Sequence, residues 1–157
     1  MIDYRLDLVT VVAKIRDPRT VGLLLPWLQN GGEAQSAIIS FGEVAVPELI
    51  RLLDDTNQHQ RWGAARTLGM IANSSRNQLN SSSFEAIKVA LLQTLRHEED
   101  WLLRLSAVNA LAAYSTDDVR NEMERLSRGD TASVGDGDRR KYPVRDAARA
   151  WLSTHPK

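Results

Sequence analysis

The pattern Arg-x-x-Ala-x-x-x-Leu occurs three times in this chain. It reads Arg61, Ala64, Leu68, then Arg104, Ala107, Leu111, then Arg145, Ala148, Leu152. A degenerate copy without the arginine runs Ala34, Ala37, Phe41. Spacings of three, four and seven residues fall on one face of an α-helix, so each copy predicts a helix with one conserved contact edge. Arg61 to Arg104 is 43 residues and Arg104 to Arg145 is 41, whereas Ala34 to Arg61 is only 27. A helix that returns at this interval, with room for one more helix between copies, constrains the chain to a series of helical pairs.

The stretches between copies supply the partners. Ile2 to Ile15 carries apolar residues at helical spacing for more than ten residues and predicts a leading helix. Asp17-Pro18 reads as an N-cap followed by proline at the first helical position, where its missing N–H has no intrahelical partner to lose. Val21, Leu24, Leu25 and Leu28 form the stripe of that helix, with Pro26 inside it as a kink or stop. Asn30-Gly31-Gly32 stops it, and Glu33 to Gly42 is a short partner. Pro47 opens the next helix, with Leu49, Ile50, Leu52 and Leu53 as its core side. The serine-rich segment from Asn73 to Ser83 predicts a loop, with Ser82 or Ser83 as the following N-cap. Phe84 to Arg96 and Val119 to Leu126 are the remaining outer helices. The turn from Gly129 to Pro143 is far longer than its counterparts and predicts a flexible loop. In it Arg139-Arg140-Lys141 lies close to Asp130, Asp136 and Asp138.

A helical pair recurring at about 40 residues, with an Asp-rich turn before Arg-x-x-Ala-x-x-x-Leu-Gly, resembles the HEAT-like repeats found in many bacterial proteins, including the phycobilisome-lyase type. The resemblance covers residues 17–153 and is closest over Val46 to Ile71. It implies one all-α domain spanning residues 1–157. The expected form is a right-handed α-solenoid of about four helical hairpins, 17–43, 44–75, 82–115 and 116–153, behind a capping helix at 1–16. Alanines 64, 107 and 148 would let paired helices approach, and leucines 68, 111 and 152 would fill the layer between repeats. In such repeats the arginine usually pairs with an acidic residue of the preceding turn or of a neighbouring repeat. Asp54, Asp55, Glu99 and Asp100 are the partners expected here.

Inner helices line the concave face of such a stack, so residues that point away from its core make a candidate binding strip. In this register the strip is Gln35 and Ile39, Trp62 and Arg66, Leu105 and Asn109, and Asp146 and Arg149. Trp62 beside an arginine fits either an interface anchor or a core residue. Trp27, Trp101 and Trp151 are expected to pack.

Catalytic signatures are missing. No phosphate-binding glycine loop, nucleophile elbow or dinucleotide fingerprint occurs. The histidines, His59, His97 and His155, include no His-x-x-x-His pair. His97-Glu98 resembles the iron-binding pairs of HEAT-repeat deoxyhypusine hydroxylases, but that family needs several such pairs and this chain has one. Neither a metal nor another cofactor is expected. The chain has no cysteine, and its 20 basic residues balance its 20 acidic ones, which argues against a dedicated nucleic-acid binder. No apolar run approaches a membrane span, and the N-terminus does not resemble a signal peptide, so a cytoplasmic location is the default expectation. A leader or neighbouring domain removed from this sequence remains compatible with it.

Together these features predict a non-catalytic scaffold that binds an unknown protein or peptide, either alone, self-associated or within a larger repeat array. Two alternatives rest on fold analogy. One is a nucleic-acid-binding, glycosylase-like protein using Trp62, Arg66, Asp146 and Arg149. The other is a bilin-lyase-like cofactor chaperone.

Overall fold

The computed structural model describes residues 4–15, 17–30, 32–74 and 79–156. The chain is all-helical. Its α-helices are α1 (Tyr4–Ile15), α2 (Val21–Leu24), α3 (Gly32–Phe41), α4 (Val46–Arg51), α5 (Gln58–Ser74), α6 (Ser81–His97), α7 (Trp101–Ala110), α8 (Asp117–Gly129) and α9 (Pro143–Thr154). Among the described residues the only β pairing is one isolated antiparallel bridge, Val134 to Lys141. No helix among them is long and apolar enough to cross a membrane.

Local sequence sets the breaks. Asp17 caps Pro18–Thr20 by accepting from the Arg19 N–H at 2.9 Å. α2 then stops at Leu24 and the chain tightens into a 3-10 helix over Leu25–Asn30. Pro26 lies in that stretch, where it has no N–H to give an α-helical ladder. The Nε2 of Gln60 donates to the Pro26 carbonyl at 3.1 Å and ties this segment to α5. α6 begins earlier than expected. Asn80, rather than Ser82 or Ser83, is its N-cap, accepting from the Ser83 N–H at 2.7 Å. Part of the serine-rich segment, residues 75–78, lies outside the described residues.

The helices carrying the recurring pattern pack in chain order, α3 against α5, α5 against α7, and α7 against α9. Each also packs on the helix that precedes it, α4 on α5, α6 on α7 and α8 on α9. The recurring alanines, Ala64, Ala107 and Ala148, are fully buried, as are Leu68 and Leu111. Leu152 is half-buried at the end of the series. Gly69 shows why small residues matter at these crossings. A Cβ there would sit 2.6 Å from the Ala110 Cα, so α5 and α7 approach as closely as backbones allow. Val119, Met123, Leu126 and Trp151 are buried between α8, α9 and their neighbours, so they do not present an open apolar end.

Two salt-bridged clusters lie between outer helices α6 and α8. Lys88 of α6, only 8 % exposed at its side chain, binds Asp118 at 3.0 Å and Glu85 at 2.9 Å. Glu122 of α8, equally buried, takes Arg125 at 2.5 Å and Arg96 at 3.4 Å. Both clusters join α6 to α8.

Candidate functional site

The recurring arginines explain the turns before they explain any ligand. Arg61 Nη1 donates to the carbonyls of Asp55 and Thr56, at 3.0 and 3.4 Å. Arg104 Nη1 donates to the carbonyls of Glu98 and Glu99, at 3.0 and 2.8 Å. Arg145 Nη2 donates to the Asp130 carbonyl at 2.7 Å. The other edge of the guanidinium reaches forward to the next turn. Arg61 pairs with the Glu98 carboxylate at 3.4 Å, and Arg104 with that of Asp130 at 3.1 Å. Arg61 and Arg104 therefore each hold their own turn by the backbone and the next turn by a side chain.

Asp55, Glu98 and Asp130 occupy one equivalent position. Each is the C-cap of its outer element, and each carboxylate accepts the N–H two residues on, from Asn57, Asp100 and Ala132 at 2.7, 2.8 and 3.0 Å. The expected carboxylate partners thus need correcting. Asp55 and Glu99 meet the arginines only through their carbonyls, and Glu98 and Asp130 supply the charges. Asp100 instead caps α7, accepting from the Leu102 N–H at 2.9 Å. At the end of the series, Arg145 meets no further carboxylate among the described residues. Its guanidinium lies over the Tyr142 ring, 4.3 Å from the centroid, which offers a π face in place of a charge.

The long turn between Asp130 and Arg145 is not loose. Val134 and Lys141 exchange backbone hydrogen bonds of 2.9 Å in both directions. Asp136 caps a short 3-10 turn at Gly137–Arg139. Gly135, at φ +84°, lies so close to the Arg139 carbonyl that a Cβ would approach it to 2.7 Å.

Residues outside the recurring pattern line a groove between α5 and α7. Two adjoining clefts, of about 300 and 210 Å³, share Arg66 and Ser106. One continues past Gly69, Met70, Asn73 and Asn109. The other continues past Trp62, His59 and Leu102. Trp62 is half-buried against the core and is fixed at both ends of its ring. Its Nε1 donates to Asp100 at 2.8 Å, and the His59 ring meets it edge-on at 4.9 Å. Trp62 thus packs against the core and also lines the groove. Arg66 is exposed, and its Nη2 donates to the Gln35 Oε1 at 2.6 Å.

The remaining expected strip residues are placed differently. Gln35 is 6 % exposed and lies beneath Arg66 rather than on the groove surface. Ile39 and Leu105 are half-buried against the core. On α7 the groove side is Leu102, Ser106 and Asn109, one residue away from the register that points Leu105 outward. Asp146 and Arg149 are exposed on α9 and pair with one another at 3.7 Å. His59, Met70, Leu102 and Ser106 went unassigned to the strip from sequence. The spacing Leu102, Ser106, Asn109 is a helical stripe that would have found the α7 side.

Elsewhere, a cleft of about 340 Å³ between α4 and α6 is lined by Asp54, Gln93, His97 and Glu98. Among the described residues no three His, Asp or Glu side chains converge to hold a metal ion. Set against known proteins, the chain matches no family model and no curated sequence.

Proposed function

We propose that this chain is a HEAT-like α-solenoid, without catalytic activity, that binds a protein or peptide along the α5–α7 groove. The observation that carries the reading is a division of labour. Residues that recur are consumed by the scaffold: Arg61 and Arg104 tie successive turns together, and Ala64, Ala107 and Leu68 are buried between helices. Residues that do not recur, Trp62 and Arg66, line a solvent-open groove. Tryptophan and arginine are among the residue types enriched at the energetic centres of protein interfaces. The repeated turn geometry of Asp55, Glu98 and Asp130 supports the solenoid reading, because equivalent turns at equivalent places are what stacked repeats require.

Affinity capture from native extract, with wild type and a Trp62→Ala/Arg66→Ala variant side by side, tests this. The partner should be lost from the variant and retained by Arg128→Ala, which removes an exposed pair elsewhere. Equal retention by the groove variant, at unchanged helicity, would place the binding surface somewhere else.

A further inference from the structure

Arg66 differs from most of the described arginines in how it is held. Arg19, Arg51, Arg61, Arg96, Arg104, Arg125, Arg128 and Arg149 each meet a carboxylate. Arg66 is tied instead to a neutral group, and among the described residues no carboxylate lies within ion-pair distance of it. The neutral group is the end of a buried relay. Gln35 Oε1 accepts from Arg66, Gln35 Nε2 donates to the Thr67 hydroxyl at 3.0 Å, and that hydroxyl donates to the Gly63 carbonyl at 2.7 Å. Gln35 and Thr67 are among the few polar side chains buried in an otherwise apolar core. Burying them is unfavourable unless their bonds are made, and the bond that leaves the core ends on an exposed guanidinium. The relay fixes one edge of the guanidinium and leaves its other N–H groups open to the groove.

We propose that the groove accepts the carboxylate of an Asp or Glu side chain in an acidic peptide segment, with Arg66 as its receptor and Gln35 as a positioning residue. This rests on the groove reading above and specifies its ligand. The planar guanidinium fork matches a carboxylate with two parallel hydrogen bonds. Arg66 is the single formal charge among the lining residues, so it balances one negative charge. A doubly charged phosphate or a polyanion would leave charge uncompensated. Asn109 is exposed and its side-chain amide meets no protein group among the described residues, so that amide is available to pair with peptide backbone beside the anchored side chain.

The test uses fluorescein-labelled random peptide pools, fixed at the central position as Glu, Gln or phosphoserine, titrated against the full chain by anisotropy. Wild type should bind the Glu pool about tenfold more tightly than the Gln pool, the value of one charge-assisted bond. That ratio should fall to about one in Arg66→Gln. It should fall partway in Gln35→Leu, which keeps the charge but releases the fork, and the ratio is unaffected by any general loss of affinity. If Gln35→Leu does not fold, Arg66→Gln alone decides. Equal binding of the Glu and Gln pools by wild type overturns the carboxylate proposal and leaves the groove reading standing. A preference for the phosphoserine pool that depends on Arg66 overturns it in favour of a phosphate ligand. If wild type binds no pool, the groove reading fails and the proposal falls with it.

Discussion

Replacing Arg104 with methionine should cost about 3–5 kcal/mol of folding stability, the range for stranding a buried charge. The structure sets this magnitude. The pair is enclosed, with side chains only 13 % and 5 % exposed for Arg104 and Asp130. Arg104 also satisfies two carbonyls of the preceding turn. Those carbonyls can turn to water, so most of the cost falls on Asp130. Without Arg104 its carboxylate keeps only the Ala132 N–H among the bonds of its side chain. Methionine fills much of the arginine stem, so the loss measures charge and hydrogen bonding more than packing. The assay is urea unfolding followed by helicity, with the slope compared as well as the midpoint. Adding Asp130→Asn should recover a large part of the loss, because the stranded charge is gone while the backbone carbonyl that serves Arg145 remains. As a control, Arg128→Met removes a pair 78 % exposed at the arginine and should cost no more than about 1 kcal/mol. An Arg104→Met loss as small as the control, or single-mutant costs that simply add, would refute the view that this pair holds successive turns together.

Two further outcomes follow from the packing and the ion pairs. Gly69→Ala should lose about 1–2 kcal/mol, because overpacking against Ala110 outweighs the gain in helix propensity, whereas Gly22→Ala, whose Cβ meets nothing within 4 Å, should be neutral or stabilising; the urea midpoints of the two variants check both. The Lys88–Asp118 pair gives a pH dependence of known sign. Burial pushes the Asp118 carboxyl up, but hydrogen bonds from Thr116 and Lys88 outweigh it and hold the group below the usual carboxylate range. Its contribution is complete above the unfolded-state value and disappears as pH falls through the lowered folded-state value. Lys88 is raised, chiefly by its hydrogen bond to Glu85, so its contribution is complete below its unfolded-state value and disappears only as alkaline pH rises through the folded-state one. Urea midpoints of Lys88→Met should therefore fall less steeply than wild type below about pH 4; parallel acid limbs would contradict this.

The helical pairs were legible because their signal is periodic and local. Ala64, Ala107 and Ala148 sit on one helical edge and are buried as that edge requires. The structural task of the arginines was legible too, but their carboxylate partners were not. Glu98 precedes Arg104 by the same six residues that separate Asp55 from Arg61, and that spacing is visible in the sequence. Asp130 lies fifteen residues before Arg145, because the closed turn bridged at Val134 and Lys141 intervenes, and there the spacing breaks. Trp62 and Arg66 were legible because their helical register points them away from the edge that carries Ala64 and Leu68. Gln35 was placed on the same strip, yet it is buried, because α3 follows the compressed first link and its register cannot be carried over from the later copies. The contact that makes Gln35 matter, to Arg66, joins residues 31 apart, and no local pattern reports such a pairing.

The central claim is that recurring residues build the scaffold and Arg66 is free to bind. Its most direct test is the affinity of Arg66→Gln for the Glu-fixed peptide pool, measured together with the urea midpoint of the same protein. The expected result is a loss of about tenfold or more in affinity, with stability lowered by no more than the one hydrogen bond to Gln35, about 1 kcal/mol. Unchanged affinity, or a stability loss well beyond that one bond, would make Arg66 another piece of the scaffold.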